Sequence, residues 1–176
     1  LVLAAALESG LCSMPPTSAW YSVAAPWAGS RAADRLGALC GGTPGPLRNL
    51  ATREHFCGGE AGTVSPGYAS LVTTFVERTV AQYWARVNGS MCGDSPFGLW
   101  SIDALELLAL ADFVGFGEAN DGAVTVSSCH GGGAFAEPIS RSPRATHFTA
   151  AVNHFDLTCR HGDGLWGGED RCPCAW

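Results

Sequence analysis

The chain has 176 residues, enough for one ordinary domain with a sizeable core, and its 47% hydrophobic share with 15% charged residues excludes an intrinsically disordered chain. The 23 Gly and 10 Pro describe a folded, loop-rich body. Sixteen acidic residues against ten Arg and no Lys give a net charge of -6, which leaves no basic patch for phosphates and argues against a nucleic-acid partner.

Leu1-Val-Leu-Ala-Ala-Ala-Leu7 is like the apolar core of a signal peptide, but it has no initiating Met and no basic residues before it, so the chain is expected to start mid-protein. Residues 1–9 are strong helix formers, and Gly10 is placed to end that helix. Trp20-Tyr-Ser-Val-Ala-Ala25, aromatic and β-branched and stopped by Pro26, predicts a buried strand. Residues 41–63 are rich in Gly, Pro and polar groups and hold two cysteines, which predicts a surface loop excursion pinned by disulfides.

Ser65-Pro66 supplies an N-cap and a Pro at the first helical position, and Val72, Val76, Val80, Tyr83 and Val87 then recur at helical spacing. Ser101 is placed to cap a second helix that ends before Gly115, with Leu105 and Leu108 in a broad buried face. Segment 113–129 predicts a short strand-like run on each side of Glu118-Ala-Asn-Asp-Gly122, and the rest reads as loop apart from a helix near 147–157. No apolar run reaches the ~18 residues needed to cross a bilayer.

The eight cysteines (12, 40, 57, 92, 129, 159, 172 and 174) form an even, scattered set that predicts an oxidising, secreted or extracellular setting with most or all of them paired. Sequence cannot choose the pairing, but Cys172 and Cys174, with one residue between them, are expected to pair elsewhere. The tail 158–176 reads as disulfide-stapled. Asn88-Gly89-Ser90 is an acceptor triplet for glycosylation, in agreement with secretion.

Alternating helices and strands favour an α/β fold, in which catalytic groups collect on loops beyond the carboxyl ends of strands. Three stretches fit such loops: Ala24-Ala-Pro-Trp-Ala-Gly-Ser30 after the first strand, Asn120-Asp-Gly-Ala-Val124, and Asn153-His-Phe-Asp156. Together and in this order they resemble the downstream half of secreted lipases of the α/β-hydrolase fold. The resemblance covers residues 1 to about 37 and 100 to about 160. It implies that the chain is the C-terminal part of a single α/β-hydrolase domain, the downstream portion of a parallel sheet with disulfide-stapled loops.

In that family Asp121 is similar to the acid and His154 to the base of a Ser-Asp-His triad, whose order along the chain is that of this fold. A hydroxyl becomes a good nucleophile only when an imidazole takes its proton, and a buried carboxylate fixes the tautomer of that imidazole. No G-x-S-x-G occurs in the chain, so the resemblance places the serine and the oxyanion-hole donors on an upstream segment, within a few residues of Leu1. The implied substrate is a lipid or another apolar ester. The turn Ala25-Pro-Trp-Ala-Gly-Ser30 also resembles that of lecithin-cholesterol-type acyltransferases. A rival from another class is a non-catalytic extracellular module that has kept the hydrolase fold.

Some bacterial relatives hold a structural calcium near the base loop, and by that resemblance Asp156 and Asp103 are calcium candidates; no cofactor is required for the reaction. His130-Gly-Gly-Gly133 is similar to the oxyanion motif of some esterases but follows the acid instead of preceding the nucleophile, so it reads as a flexible loop. His147, His154 and His161 lie seven apart near Cys159, Cys172 and Cys174, yet oxidised cysteines cannot ligate zinc, which argues against a zinc site.

Overall fold

The computed structural model describes residues 1–43, 45–53, 55–58, 63–65, 69, 71, 80, 86–131, 135 and 137–176. Its centre is a four-stranded sheet built from Tyr21–Val23 (β1), Gly89–Gly93 (β2), Ile139–Ser140 (β3) and His147–Ala150 (β4). The strand order is β1-β2-β4-β3, and every pairing is parallel. Parallel sheets are covered on both faces, and the two inner strands β2 and β4 are buried at every position. Met91, Phe148 and Ala150 from these strands form one core with Leu99, Val152 and Leu157.

Helix Val2–Glu8 (α1) ends as the sequence predicts. Gly10, at φ +68°, takes the left-handed conformation, and the amides of Gly10 and Leu11 return to the carbonyls of Leu7 and Ala6. Helix Arg31–Gly41 (α2) follows the turn after β1. Within the expected loop 41–63 the chain forms a helix, Pro46–Arg53 (α3), because Pro46 stands at its first position, where the missing N–H costs nothing. The disulfide Cys40–Cys57 does pin this excursion to the end of α2.

Helix Ile102–Val114 (α4) is capped by Ser101, whose Oγ accepts the Ala104 amide at 3.0 Å, and closes at Gly115 with φ +63°. Its buried side chains are Ala104, Leu107 and Val114, whereas Leu105 and Leu108, expected inside, are exposed. The helix is apolar nearly all round, so sequence could not single out the face that packs. Most of the helix expected from Ser65 to Val87 lies outside the described residues.

Three further expectations are corrected. The helix expected near 147–157 is instead β4 followed by a 3₁₀ turn, Asp156–Thr158, since residues 147–150 are buried on both sides between β2 and β3. The strand runs expected in 113–129 reduce to one antiparallel bridge, Asn120 with Thr125, and a short helix, Val126–Cys129 (α5). Finally, the strand expected to be buried over 20–25 is the three-residue edge strand β1, with Tyr21 and Val23 exposed and only Ser22 buried, because only β2 pairs with it among the described residues.

Disulfides join Cys40–Cys57, Cys92–Cys129 and Cys159–Cys174, while Cys12 and Cys172 are unpaired. Six of the eight cysteines are therefore bonded, and Cys174 does pair away from Cys172. Among the described residues no helix is long and apolar enough to cross a membrane.

Candidate active site

The Asn-Asp-Gly turn after α4 is built around its own side chains. Asn120 Oδ1 accepts the Gly122 amide at 3.0 Å, and Asp121 Oδ1 accepts the amides of Ala123 and Val124 at 2.9 and 2.7 Å. Gly122 has φ +97°, and a Cβ there would lie 2.7 Å from Leu107 Cβ, so the turn requires glycine. Asp121 is 1% exposed and sits over the carboxyl end of β2, where a Cβ on Gly93 would come within 2.8 Å of its own Cβ.

The other loop leaves β4 and is ordered by a reciprocal cap. Asn153 Oδ1 accepts the amides of Phe155 and Asp156, while Asp156 Oδ2 accepts the amides of Asn153 and Leu99. Asn153 Nδ2 donates to the Phe97 carbonyl at 3.1 Å. This geometry turns His154 back toward the Asp121 loop, and its amide donates to the Asp121 carbonyl at 2.9 Å.

The two side chains meet. His154 Nδ1 lies 2.7 Å from Asp121 Oδ2, although the residues are 33 positions apart. Burial works against charge on the imidazole, but the hydrogen bond and the negative charge of Asp121 outweigh it and raise the His154 pKa above its ordinary 6.5. Nε2 makes no hydrogen bond among the described residues, and the ring, 32% exposed, lines a cavity of about 540 Å³. The walls of that cavity are apolar: Leu36 and Leu39 from α2, Leu107, Leu110 and Phe113 from α4, and Phe155.

The turn after β1 closes the third side. Ala24, with φ +52°, and Pro26 line the cavity, and a left-handed non-glycine residue at a strand end is uncommon. Ser128 Oγ donates to the Gly29 carbonyl, Ser30 Oγ donates to the Ala123 carbonyl, and the Ala28 amide donates to Ser128 Oγ. Cys92–Cys129 ties the start of this seam to β2. All three stretches singled out from sequence thus converge on one cavity.

Asp103 and Asp156, the calcium candidates, are also brought near each other, but His161 stands between them. Its Nδ1 lies 2.7 Å from Asp156 Oδ1 and its Nε2 3.3 Å from Asp103 Oδ2. Asp103 Oδ2 also faces Arg160 Nη1 at 3.2 Å. In this arrangement the facing carboxylate oxygens of the pair are occupied by His161 and Arg160. Asn88 is exposed and its Oδ1 accepts the Trp20 amide at 2.7 Å.

His130, expected in a flexible loop, is a core residue. It is 1% exposed, and Ser90 Oγ and Thr149 Oγ1 each lie 2.9 Å from one of its ring nitrogens. Residues 132 and 133 of that motif lie outside the described residues. Gly98, Ser128 and His161 support the site without having been singled out for it. The contacts of Gly98 with Asp156, Ser128 with Gly29 and His161 with Asp103 join segments remote in sequence. Comparison with known protein families, with curated proteins and with solved structures finds no match to the chain.

Proposed function

We propose that the chain carries the acid and base of a lipase-like serine hydrolase acting on an apolar carboxylic ester, with the nucleophilic serine on a segment before Leu1. One observation carries this reading: a buried Asp121 bonded at 2.7 Å to a His154 that borders an apolar cavity of about 540 Å³. In this role His154 Nε2 takes the hydroxyl proton as the serine oxygen attacks the ester carbonyl, and returns it to the departing alcohol. Water then repeats the cycle on the acyl-serine. Asp121 holds the tautomer that leaves Nε2 as acceptor and stabilises the imidazolium.

The parallel order β1-β2-β4, with acid and base on loops at the strands' carboxyl side, supports an α/β-hydrolase arrangement. Among the described residues no strand pairs with the edge of β1 away from β2, and Tyr21 and Val23 are exposed, which fits an upstream strand. Three disulfides support a secreted setting, and the exposed Asn88 fits a glycan.

The test is the chain expressed with its upstream segment and assayed on p-nitrophenyl esters of rising acyl length. Hydrolysis is expected, falling by about 10⁴-fold or more in His154→Ala. A complete protein with no serine flanked by glycines upstream and no hydrolysis overturns the reading in favour of a non-catalytic module.

A further inference from the structure

We propose that His161 is a positioning residue, whose imidazole bridges Asp156 and Asp103 and so holds the loop of His154 against α4. Asp156 is 0% exposed, and its two oxygens serve three partners: Oδ2 takes the amides of Leu99 and Asn153, and Oδ1 faces His161 Nδ1 at 2.7 Å. A carboxylate removed from water needs hydrogen-bond partners for both oxygens, and His161 is the side chain that meets Oδ1. Its other nitrogen faces Asp103, in the first turn of α4, at 3.3 Å. One ring thus touches both carboxylates, with Nδ1 at hydrogen-bond distance of Asp156 and Nε2 in close approach to Asp103.

Arg160 strengthens the same tie. Its Nη1 reaches Asp103 Oδ2 at 3.2 Å, and its guanidinium lies 5.6 Å from the centre of the Phe155 ring, which lines the cavity beside His154. The segment 153–161 is thereby fastened to α4, whose Leu107 supports the Asp121 turn at Gly122. Where a divalent ion could have joined the two carboxylates, a side chain of the loop itself does so.

The role of the loop rests on the hydrolase reading, but the bridge is tested without turnover. The readout is the low-field proton resonance of His154 Nδ1–H in the full chain and in His161→Gln and His161→Lys. His161→Gln is expected to weaken that resonance several-fold and His161→Lys, whose ammonium can reach both carboxylates, to restore much of it. Calcium added to the unsubstituted protein is expected to change neither the resonance nor Tm. Equal resonances in all three proteins overturn the proposal, as does a calcium-dependent rise in either quantity. If His161→Gln does not fold, a folded His161→Lys with the resonance supports the bridge, and its equal failure overturns it. An intact bridge in a protein that hydrolyses no ester would sink the hydrolase reading alone.

Discussion

His154 and His130 are pushed in opposite directions by their neighbours. Burial lowers the His154 pKa, but the bond to Asp121 and its charge outweigh this and leave the pKa above 6.5. The stabilisation this pair contributes is therefore full below the unfolded value of about 6.5 and is lost as pH rises through the folded one. In the proposed role as base His154 must be neutral, so kcat/KM for ester hydrolysis by the chain with its proposed upstream segment is expected to rise along a limb centred above pH 6.5. Asp121→Asn should shift that limb to lower pH and cut kcat about 10³–10⁴-fold. An unshifted limb in the variant would show that Asp121 does not set the charge of the base.

For His130, burial first and the charge of His147 second lower the pKa from 6.5 to about 4. The unfolded chain then binds more protons than the folded one between those values, so stability falls as pH drops from about 6.5 to 4, by up to about 3 kcal/mol. Urea unfolding at pH 7 and pH 4.5 checks this. His130→Gln should lose less between the two pH values than the unsubstituted protein does, whatever its absolute stability.

At the scale of elements, the loops that carry Asp121 and His154 depend on glycines where two backbones nearly touch. Gly98, at φ +56°, packs so closely on Asp156 Oδ2 and the Asn153 amide that a Cβ has no room. Gly98→Ala combines left-handed strain with this clash, and is expected to cost about 2–3 kcal/mol and lower Tm by about 5–10 °C. A Tm within 2 °C of the parent, read by circular dichroism, would show that the loop moves aside. Helices α1 and α4 were legible because their stop and start signals are local: Gly10, Ser101 and Gly115 act within one turn. By contrast β2, Gly-Ser-Met-Cys-Gly, has neither alternation nor an apolar run, and is a strand because β1 and β4 pair with it from both sides. The run from His147 to Ala150 is buried for the same reason, which its helix-compatible sequence could not reveal.

Across the whole molecule, three disulfides divide the labour. Cys40–Cys57 closes the α2–α3 excursion, Cys92–Cys129 joins β2 to α5 behind the Asp121 turn, and Cys159–Cys174 closes the tail over the His154 loop. Alkylation after unfolding is expected to add two labels without reductant, at Cys12 and Cys172, and eight with it. Four or more labels without reductant would overturn this pairing. Burial and the charges of Asp163, Glu169 and Asp170 raise the pKa of the Cys172 thiol and so lower its thiolate fraction.

By itself the sequence determined the local chemistry: an α/β alternation, cysteines bound in disulfides, an Asn-Asp-Gly turn and an Asn-His-x-Asp loop in an order suited to an acid and a base. These features act over a few residues, through caps, turns and side-chain bonds to nearby amides. Only the tertiary structure decided that Asp121 and His154 meet at 2.7 Å, that the small residues of β2 lie between β1 and β4, and that His161 stands between Asp103 and Asp156. Those contacts join segments far apart along the chain, and whether such segments meet depends on strand order and burial, which no single stretch of residues specifies.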